Sequence, residues 1–321
     1  MNPQTPLVSV IIPVFNSAAY IADSINSILR QDYTQLEIIV VDDGSTDGTA
    51  EIVQGLADPR VRYVCQSNSG SAVARNYGIS LAKGELIAFN DSDDLWAPQR
   101  LTQQVNYLND HPEYQAVCGR FMHVNADFSL TAADATAAEQ YCAEAVFDPT
   151  KSGWMYLTLL QVSCFHIITL LVKKQALAQV HFNPDYRRGQ DYDFWLQLAN
   201  QTRVAQLDNL YAFYRKNLLS ISHKPHSRNY RAEILQAAIS QYGTTDQLGR
   251  TMDSRQLNTI FAQVWFEHGY ELFQAKWYKA SAQSYRRGLR YRKNKAGAYK
   301  FLLLSYLLRL QDRTPAYAVT R

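Results

Sequence analysis

Three carboxylates stand within four residues at Asp91-Ser92-Asp93-Asp94, directly after the apolar run Glu85-Leu86-Ile87-Ala88-Phe89. Carboxylates this close repel one another unless something positive sits among them, and a hard divalent cation takes oxygen ligands. A second acidic strand end lies upstream, in Ile38-Ile39-Val40-Val41-Asp42-Asp43-Gly44-Ser45. Two strands of parallel type that both end in aspartate, with crossover elements between them, put these acids on one edge of one sheet. Open α/β sheets bind their ligands at that edge. The plainer use of such acids is capping and turn formation. A capping turn ahead of Pro98 accounts for one of the three acids and leaves the others over. Asp42 and Asp43 can equally form a turn into Gly44, but Asp47 already suits the cap of the helix that follows.

The elements that must position these residues follow from periodicity. Val8–Val14 reads as a buried strand, and Ile21, Ile25, Ile28 and Leu29 fall on one face of the next helix. Strands recur at Glu37–Asp43, Val61–Gln66, Glu85–Asn90 and Gln115–Val124, with helices starting near Asp47, near Gly70 and after Pro98. Continuous apolar strands alternating with helices predict an α/β fold with a mostly parallel sheet, covered by helices on both faces. From Asn125 to Thr150 the pattern dissolves into Ala, Thr, Asp and Glu. It resumes with Trp154–Leu160, a short strand at Ile168–Val172, a helix at Lys173–Val180 and a turn at Asn183-Pro184-Asp185. An amphipathic helix from Asp191 to Asn200 and strands near Val204–Leu207 and Tyr211–Tyr214 complete the first domain. We therefore divide the 321-residue chain into residues 1–225 and an all-helical C-terminal extension over 226–321.

Bulk properties exclude several classes. A net charge of +3 is too small to argue for nucleic acid. The longest apolar stretches, Phe165–Val172 and Phe301–Leu308, are too short to span a bilayer. No apolar leader opens the chain, and Cys65, Cys118, Cys142 and Cys164 show no paired spacing, so a cytoplasmic protein with reduced thiols is expected. Lys276 to Arg313 holds eleven Lys or Arg and a single acid, Asp312, with tyrosines, Trp277 and leucines interleaved. Such a stretch suits solvated helices, a partner, or peripheral contact with the inner face of an anionic membrane. In the C-terminal extension, Trp265, Gly269, Tyr278, Tyr285 and Leu289 have offsets resembling one tetratricopeptide-like helix pair.

Four blocks together carry a resemblance. Val8-Ser9-Val10-Ile11-Ile12-Pro13-Val14-Phe15-Asn16, Val41-Asp42-Asp43-Gly44-Ser45-Thr46-Asp47, Asn68-Ser69-Gly70-Ser71-Ala72-Val73-Ala74-Arg75-Asn76 and Asp91-Ser92-Asp93-Asp94 resemble family 2 glycosyltransferases, in that family's order and spacing. The resemblance is dense over residues 7–125 and looser over 163–222. It implies a GT-A fold, a nucleotide-sugar donor, Mn²⁺ or Mg²⁺, and transfer with inversion to a glycan or glycolipid acceptor. It also implies that Asp93 ligates the metal and that Asp91 contacts the donor or the metal, while Asp94 caps or orients. Asp43 falls on the position that hydrogen-bonds the base; Pro13, Phe15 and Asn16 line that pocket, and Arg75 lies near the base and Asp93. A carboxylate at Asp43 accepts the imide N–H of uracil or thymine, which favours UDP, although guanine could also donate to it. The Ser69-Gly70-Ser71 helix start could offer its amides to an anion.

Arg187-Arg188-Gly189-Gln190-Asp191-Tyr192-Asp193-Phe194-Trp195 resembles the acceptor-side motif, which implies that Asp191 is the base that deprotonates the acceptor hydroxyl. An ordinary N-cap competes with that reading. Two departures matter. Gln190 replaces an acid common in the family, and Lys216-Asn217 follows Tyr214-Arg215 where relatives carry a metal-ligating histidine, so His223 is the nearest substitute. They motivate an alternative: a degenerate nucleotide-binding scaffold that engages a partner through its tail. A nucleotidyltransferase is disfavoured because Pro13-Val14-Phe15-Asn16 occupies the turn where a Gly-rich phosphate loop would lie, and a dehydrogenase because no G-x-G-x-x-G follows the first strand.

Overall fold

The structure is a computed structural model and describes residues 5–128, 147–216 and 225–315. The chain forms two compact units, residues 1–159 with 163–217, and residues 160–162 with 218–321.

The first unit begins with strict alternation: β1 (Val8–Val14), α1 (Ile21–Leu29), β2 (Leu36–Asp42), α2 (Thr49–Gly55), β3 (Val61–Cys65), α3 (Ser71–Leu81) and β4 (Leu86–Phe89). These four strands pair in parallel in the order β3-β2-β1-β4. Every residue of β1 is buried, as expected for a strand covered on both faces. Its pairing with β4 stops at Ile11↔Phe89, so a proline two residues further on forfeits no ladder bond on that side. Ile21, Ile25 and Ile28 of α1 pack with Val10, Ile12, Ile38 and Val40 in the main core.

Beyond β4 the sheet departs from simple parallel winding. There follow β5 (Leu95–Trp96), α4 (Arg100–Asp110), β6 (Ala116–Asn125), α5 (Tyr156–Gln161), β7 (Leu171–Lys173), α6 (Gln190–Gln201) and β8 (Val204–Lys216). They extend the sheet as β4-β7-β6-β8-β5 to eight strands. β7 runs antiparallel to both β4 and β6, β6 and β8 are parallel, and β5 is antiparallel to β8. The fold is therefore of the expected α/β class, on a sheet parallel in four of its seven pairings, with four local corrections.

The strand expected at Ile168–Val172 is a 3₁₀ turn (Ile167–Thr169) followed by β7. Side chains of α4 explain this: Arg100 donates to the carbonyls of Ile168 and Leu170, and Gln104 to that of Thr169 at 2.8 Å. These donors replace a strand ladder. Arg100 is wholly buried with its guanidinium 3.7 Å from the centre of the Trp96 ring, and burial pulls its pKa down to about 9. The helix expected at Lys173–Val180 is only a 3₁₀ turn, Lys174–Leu177. The strands expected on either side of Asp208-Asn209 are one continuous β8, because a register shift at Cys118–Phe121 of β6 absorbs the irregularity. Gly119 sits there, where a Cβ would come within 2.1 Å of the Tyr211 ring. The two-residue β5 was not legible, since Leu95-Trp96 lacks the length of a periodic pattern.

The second unit is helical: α7 (Tyr230–Tyr242), α8 (Ser254–Gln274), α9 (Tyr278–Tyr291) and α10 (Ala296–Leu307). Asp253 and Gln256 form a reciprocal capping box at the start of α8. α8 and α9 pack closely where Gly269 faces Tyr285 and Gly288 faces Phe266. Tyr285 then stacks on Phe301 of α10, with ring centres 5.7 Å apart. No helix among the described residues is long and apolar enough to cross a membrane.

Candidate active site

The C-terminal ends of β1, β2 and β4 lie side by side, so the loops that leave them share one edge of the sheet. Phe15 is half exposed there, and Asn16 takes a left-handed backbone (φ 51°). Asn16 ties the first loop to the second: its amide donates to Ser45 Oγ at 2.9 Å, and its Oδ1 accepts from the Thr46 amide at 2.8 Å. Asp47 accepts from the amides of Ala18 and Thr49, and hydrogen bonds hold its carboxyl below the usual range against the cost of burial. Pro13 is buried within β1.

Both acids that end β2 are committed to the chain itself. Asp42 accepts from the Ser45 amide and from the Tyr63 hydroxyl. Asp43 Oδ1 accepts from Gln66 Nε2 and the Ser69 amide, both at 2.8 Å, and Oδ2 accepts from the Gly70 amide at 2.7 Å. This corrects one expectation. The Ser69 and Gly70 amides at the start of α3 are taken by Asp43, because its carboxylate, at the adjacent strand end, lies within hydrogen-bond reach of both. Three bonds leave one of the roughly four acceptor positions of a carboxylate for a ligand N–H.

The acidic turn after β4 is cross-braced. Asn90 Nδ2 donates to Ser24 Oγ and to the Asp94 carbonyl, Ser24 Oγ donates to the Asp91 carbonyl, and the hydroxyls of Ser17 and Ser92 lie 2.7 Å apart. Asp94 is wholly buried. Its Oδ1 accepts from the Arg215 amide at 2.9 Å, while Oδ2 meets no hydrogen-bond partner among the described residues. Burial first, then the charges of Asp91 and Asp93, pushes its carboxyl well above the usual range. Asp94 thus orients β8 against the turn. None of the three acids caps α4, whose cap position is Gln99 with no side-chain cap bond. Asp91 and Asp93 are partly exposed.

Arg75 joins the two halves of the edge. Its buried guanidinium donates to Asp91 Oδ1 at 2.6 Å, lies 3.2 Å from Asp191 Oδ1, and sits 5.1 Å from the centre of the Phe182 ring. The capping reading of Asp191 does not hold. The cap position of α6 is Gly189 (φ 77°), with no side-chain cap bond, and the Asp191 carboxylate turns to Arg75 instead. Burial raises the Asp191 carboxyl above its ordinary range, against the pull of Arg75 and with the nearby Asp91 adding to the rise. Gln190, which stands where an acid was expected, accepts from Ser71 Oγ at 2.8 Å and donates to the Tyr186 carbonyl. It fastens the start of α6 to the start of α3.

One neighbour of Asp191 escaped the sequence reading. His166, just before the 3₁₀ turn that precedes β7, is mostly buried and feels Asp191, Asp91, Arg75 and His123. Burial lowers its pKa, and its Nδ1 meets no hydrogen-bond partner among the described residues. An isolated histidine in an apolar run offers no spacing signal. His223 and Asn217, the residues considered for the histidine position, lie outside the described residues.

Among the described residues, no group of three or more His, Cys, Asp or Glu side chains could hold a metal ion by itself. The donor set nevertheless suits Mg²⁺ or Mn²⁺ bound with a diphosphate, since such ions use one or two carboxylates and take their other ligands from phosphate and water.

A family model described as glycosyl transferase family 2 matches residues 9–162. An uncharacterised glycosyltransferase of Haemophilus influenzae is 31% identical over 223 residues, covering 68% of this chain and 82% of its own. A Bacillus subtilis protein provisionally named teichuronic acid biosynthesis glycosyltransferase TuaG is 33% identical over 226 residues, covering 69% and 84%. The crystal structure of S. aureus TarS 1-349 in complex with UDP-GlcNAc superposes with a TM-score of 0.63 at 21% identity, covering 95% of this chain and 88% of that one. The mannosyltransferase PcManGT from Pyrobaculum calidifontis, in complex with GDP-Man and Mn²⁺, gives 0.55 at 21% identity, covering 95% and 81%.

Proposed function

Because the chain belongs to glycosyl transferase family 2, we propose that it moves a sugar from a nucleoside-diphosphate sugar, with UDP the favoured nucleotide, to a hydroxyl of a glycan or glycolipid acceptor in surface polysaccharide synthesis. The teichuronic acid name of the Bacillus relative supports the polysaccharide setting. Neighbours of this fold hold UDP-GlcNAc in one case and GDP-Man in another, so the preference for UDP rests on the carboxylate of Asp43 with Pro13, Phe15 and Asn16 around it. The observation that carries the reading is the Arg75 bridge, which holds Asp191 beside Asp91 at the ligand-binding edge of the sheet.

In the proposed reaction, Asp191 takes the proton of the acceptor hydroxyl while that oxygen attacks the anomeric carbon from the face opposite the diphosphate. The bond from that carbon to the diphosphate oxygen breaks, its electron pair leaves with the nucleotide, and the anomeric configuration inverts. A raised carboxyl pKa makes Asp191 a better proton acceptor than an ordinary carboxylate. Mn²⁺ or Mg²⁺, held by Asp93 with Asp91, would neutralise the charge gathering on the leaving diphosphate. Arg75 keeps Asp191 in place and limits its repulsion with Asp91.

A screen of nucleotide sugars by thermal stabilisation in Mn²⁺ tests this reading. A true donor stabilises the native state by about 2.7 kcal/mol at 100 times its dissociation constant, so one UDP- or dTDP-sugar is expected to raise Tm. EDTA and Asp93→Ala are each expected to remove the shift. If no nucleotide sugar shifts Tm, the degenerate scaffold takes the place of the enzyme as the reading of this site.

We also place the protein in the cytoplasm, at the inner face of an anionic membrane. Tyr299, Leu303, Tyr306, Leu307 and Leu310 are exposed and recur at helical spacing along and just beyond α10. Exposed cations flank them, including Lys293, Lys295, Lys300, Arg309 and Arg313. An apolar stripe edged by cations suits lipid headgroups and disfavours a second, equally basic copy. Flotation with phosphatidylserine vesicles should carry the full chain, and a Leu303→Ser/Leu307→Ser/Leu310→Ser variant should stay behind. Equal flotation of the two, or none of the wild type, would remove this placement.

A further inference from the structure

Four rings gather beside Asp191 on one face of the sheet. Phe121 and His123 alternate along β6 and so project to the same side, and His123 is the register partner of Tyr214 on β8. His166 closes the group. Its ring centre lies 4.7 Å from that of Phe121 and 5.1 Å from that of Tyr214, while His123 and Tyr214 lie 5.2 Å apart and nearly perpendicular. The cluster is no ordinary core. The apolar packing at this end of β6 and β8 is made by Val124 and Phe213, with Leu95, Ala97 and Leu210. Those two strand residues alternate with His123 and Tyr214 and so belong to the opposite face. On the ring side, His123 is exposed and Phe121 only half buried.

This wall combines aromatic faces with imidazole edges. A sugar ring presents axial C–H bonds, which pack on the electron-rich face of an aromatic ring, and equatorial hydroxyls that seek hydrogen-bonding nitrogens. His166 supplies such a nitrogen, since its buried Nδ1 has no partner among the described residues. The segment that carries it is held rigidly, because Arg100 and Gln104 fix the carbonyls of Ile168, Thr169 and Leu170 just after it. His166 is also near enough to Asp191 and Asp91 to feel both charges.

We propose that Phe121, His123, His166 and Tyr214 form a pyranose-binding subsite that receives the acceptor, with His166 positioning the hydroxyl that Asp191 deprotonates. This deepens the glycosyltransferase reading and rests on Asp191 as its base. His166 acts here by orientation: it holds the acceptor oxygen and takes no proton from it.

The test uses the full chain and a panel of methyl pyranosides (gluco, galacto, manno, rhamno and N-acetylglucosamino). Saturation-transfer NMR reads their binding with and without UDP and Mn²⁺, and calorimetry reads UDP separately. At least one glycoside is expected to receive saturation at its ring C–H protons. His166→Ala should weaken it about tenfold, the effect of losing one buried hydrogen bond, with partial recovery in His166→Asn. His123→Ala, a change at an exposed ring, should weaken it about threefold, as for one lost aromatic contact. UDP affinity should stay the same in all three variants. Binding of no glycoside in either condition, or glycoside affinities unchanged in both His166→Ala and His123→Ala, would overturn the subsite. Failure of UDP to bind the wild type would instead count against the donor reading, and the glycoside arm without UDP still decides the subsite.

Discussion

Asp191→Asn is expected to lower kcat for sugar transfer by about 10²- to 10⁴-fold, the contribution usual for a general base. Asparagine has the shape of aspartate and can still offer an oxygen to Arg75, so the edge of the sheet should keep its form. It cannot take the proton of the acceptor hydroxyl. Donor affinity should therefore change little, and the loss should fall on kcat. The pH profile adds a second signature. Burial holds the Asp191 carboxyl above its ordinary range, and the base must be ionised to act. Wild-type kcat/KM should consequently fall, as pH is lowered, at a pH above the usual carboxylate range, and the residual activity of Asp191→Asn should lack that limb. Initial rates across pH, with donor affinity measured alongside, check both points. A variant with wild-type kcat would end the assignment of Asp191.

Arg75→Met carries the second large expectation, because it removes the cation that Asp91 and Asp191 share. The Arg75 side chain is 6% exposed, and methionine fills much of its volume. What changes is charge: Asp91 and Asp191 are left facing each other without their bridge. Removing one partner of a fully buried pair costs about 3–5 kcal/mol. Here the carboxylates are 26% and 34% exposed, so water screens part of the loss, and about 2 kcal/mol is the expected destabilisation. Arg75→Lys restores the charge without the planar fork that reaches both acids, so it should recover only part of that. Combining Arg75→Met with Asp191→Asn relieves the repulsion, and the double variant should be more stable than the sum of the singles implies. Urea denaturation of wild type, the three single variants and the double variant measures this. Equal midpoints for Arg75→Met and wild type would show that the bridge does not hold the edge together.

How much of this was legible in the sequence depends on the distance over which a residue's role is set. The strands β1 to β4 were readable because each is a short apolar run whose burial is local, and their acids fall at strand ends by that same pattern. The start of α6 was readable from Asp191 and the aromatic positions after it. Arg75 was visible as a residue of interest, but its partners Asp91 and Asp191 belong to separate loops, and spacing within one helix does not report them. The binding of Asp43 to the Ser69 and Gly70 amides was missed for the same reason. The antiparallel β7 was obscured because Arg100 and Gln104 hold the carbonyls of the preceding turn, making apolar residues look like strand where side chains satisfy the backbone. His166 gave no signal at all, since its surroundings come from β6, β8 and α6.

The point where parallel pairing gives way to antiparallel pairing also sets an order of assembly. Strand β2 joins β1, and β3 joins β2, through single helices, so those two ladders close short loops. The ladder of β1 with β4 pairs Val8 with Leu86, that of β4 with β7 pairs Leu86 with Lys173, and that of β6 with β8 pairs Ala116 with Val204. Closing such long loops costs more chain entropy before any contact compensates for it, which makes these the slow steps. The part that carries Asp43 can thus form while the chain bearing Asp191 is still unpaired. Until β7 docks, the last-formed side of β4 is an open strand edge, and that is the stage at which a newly made chain is most exposed to pairing with another copy.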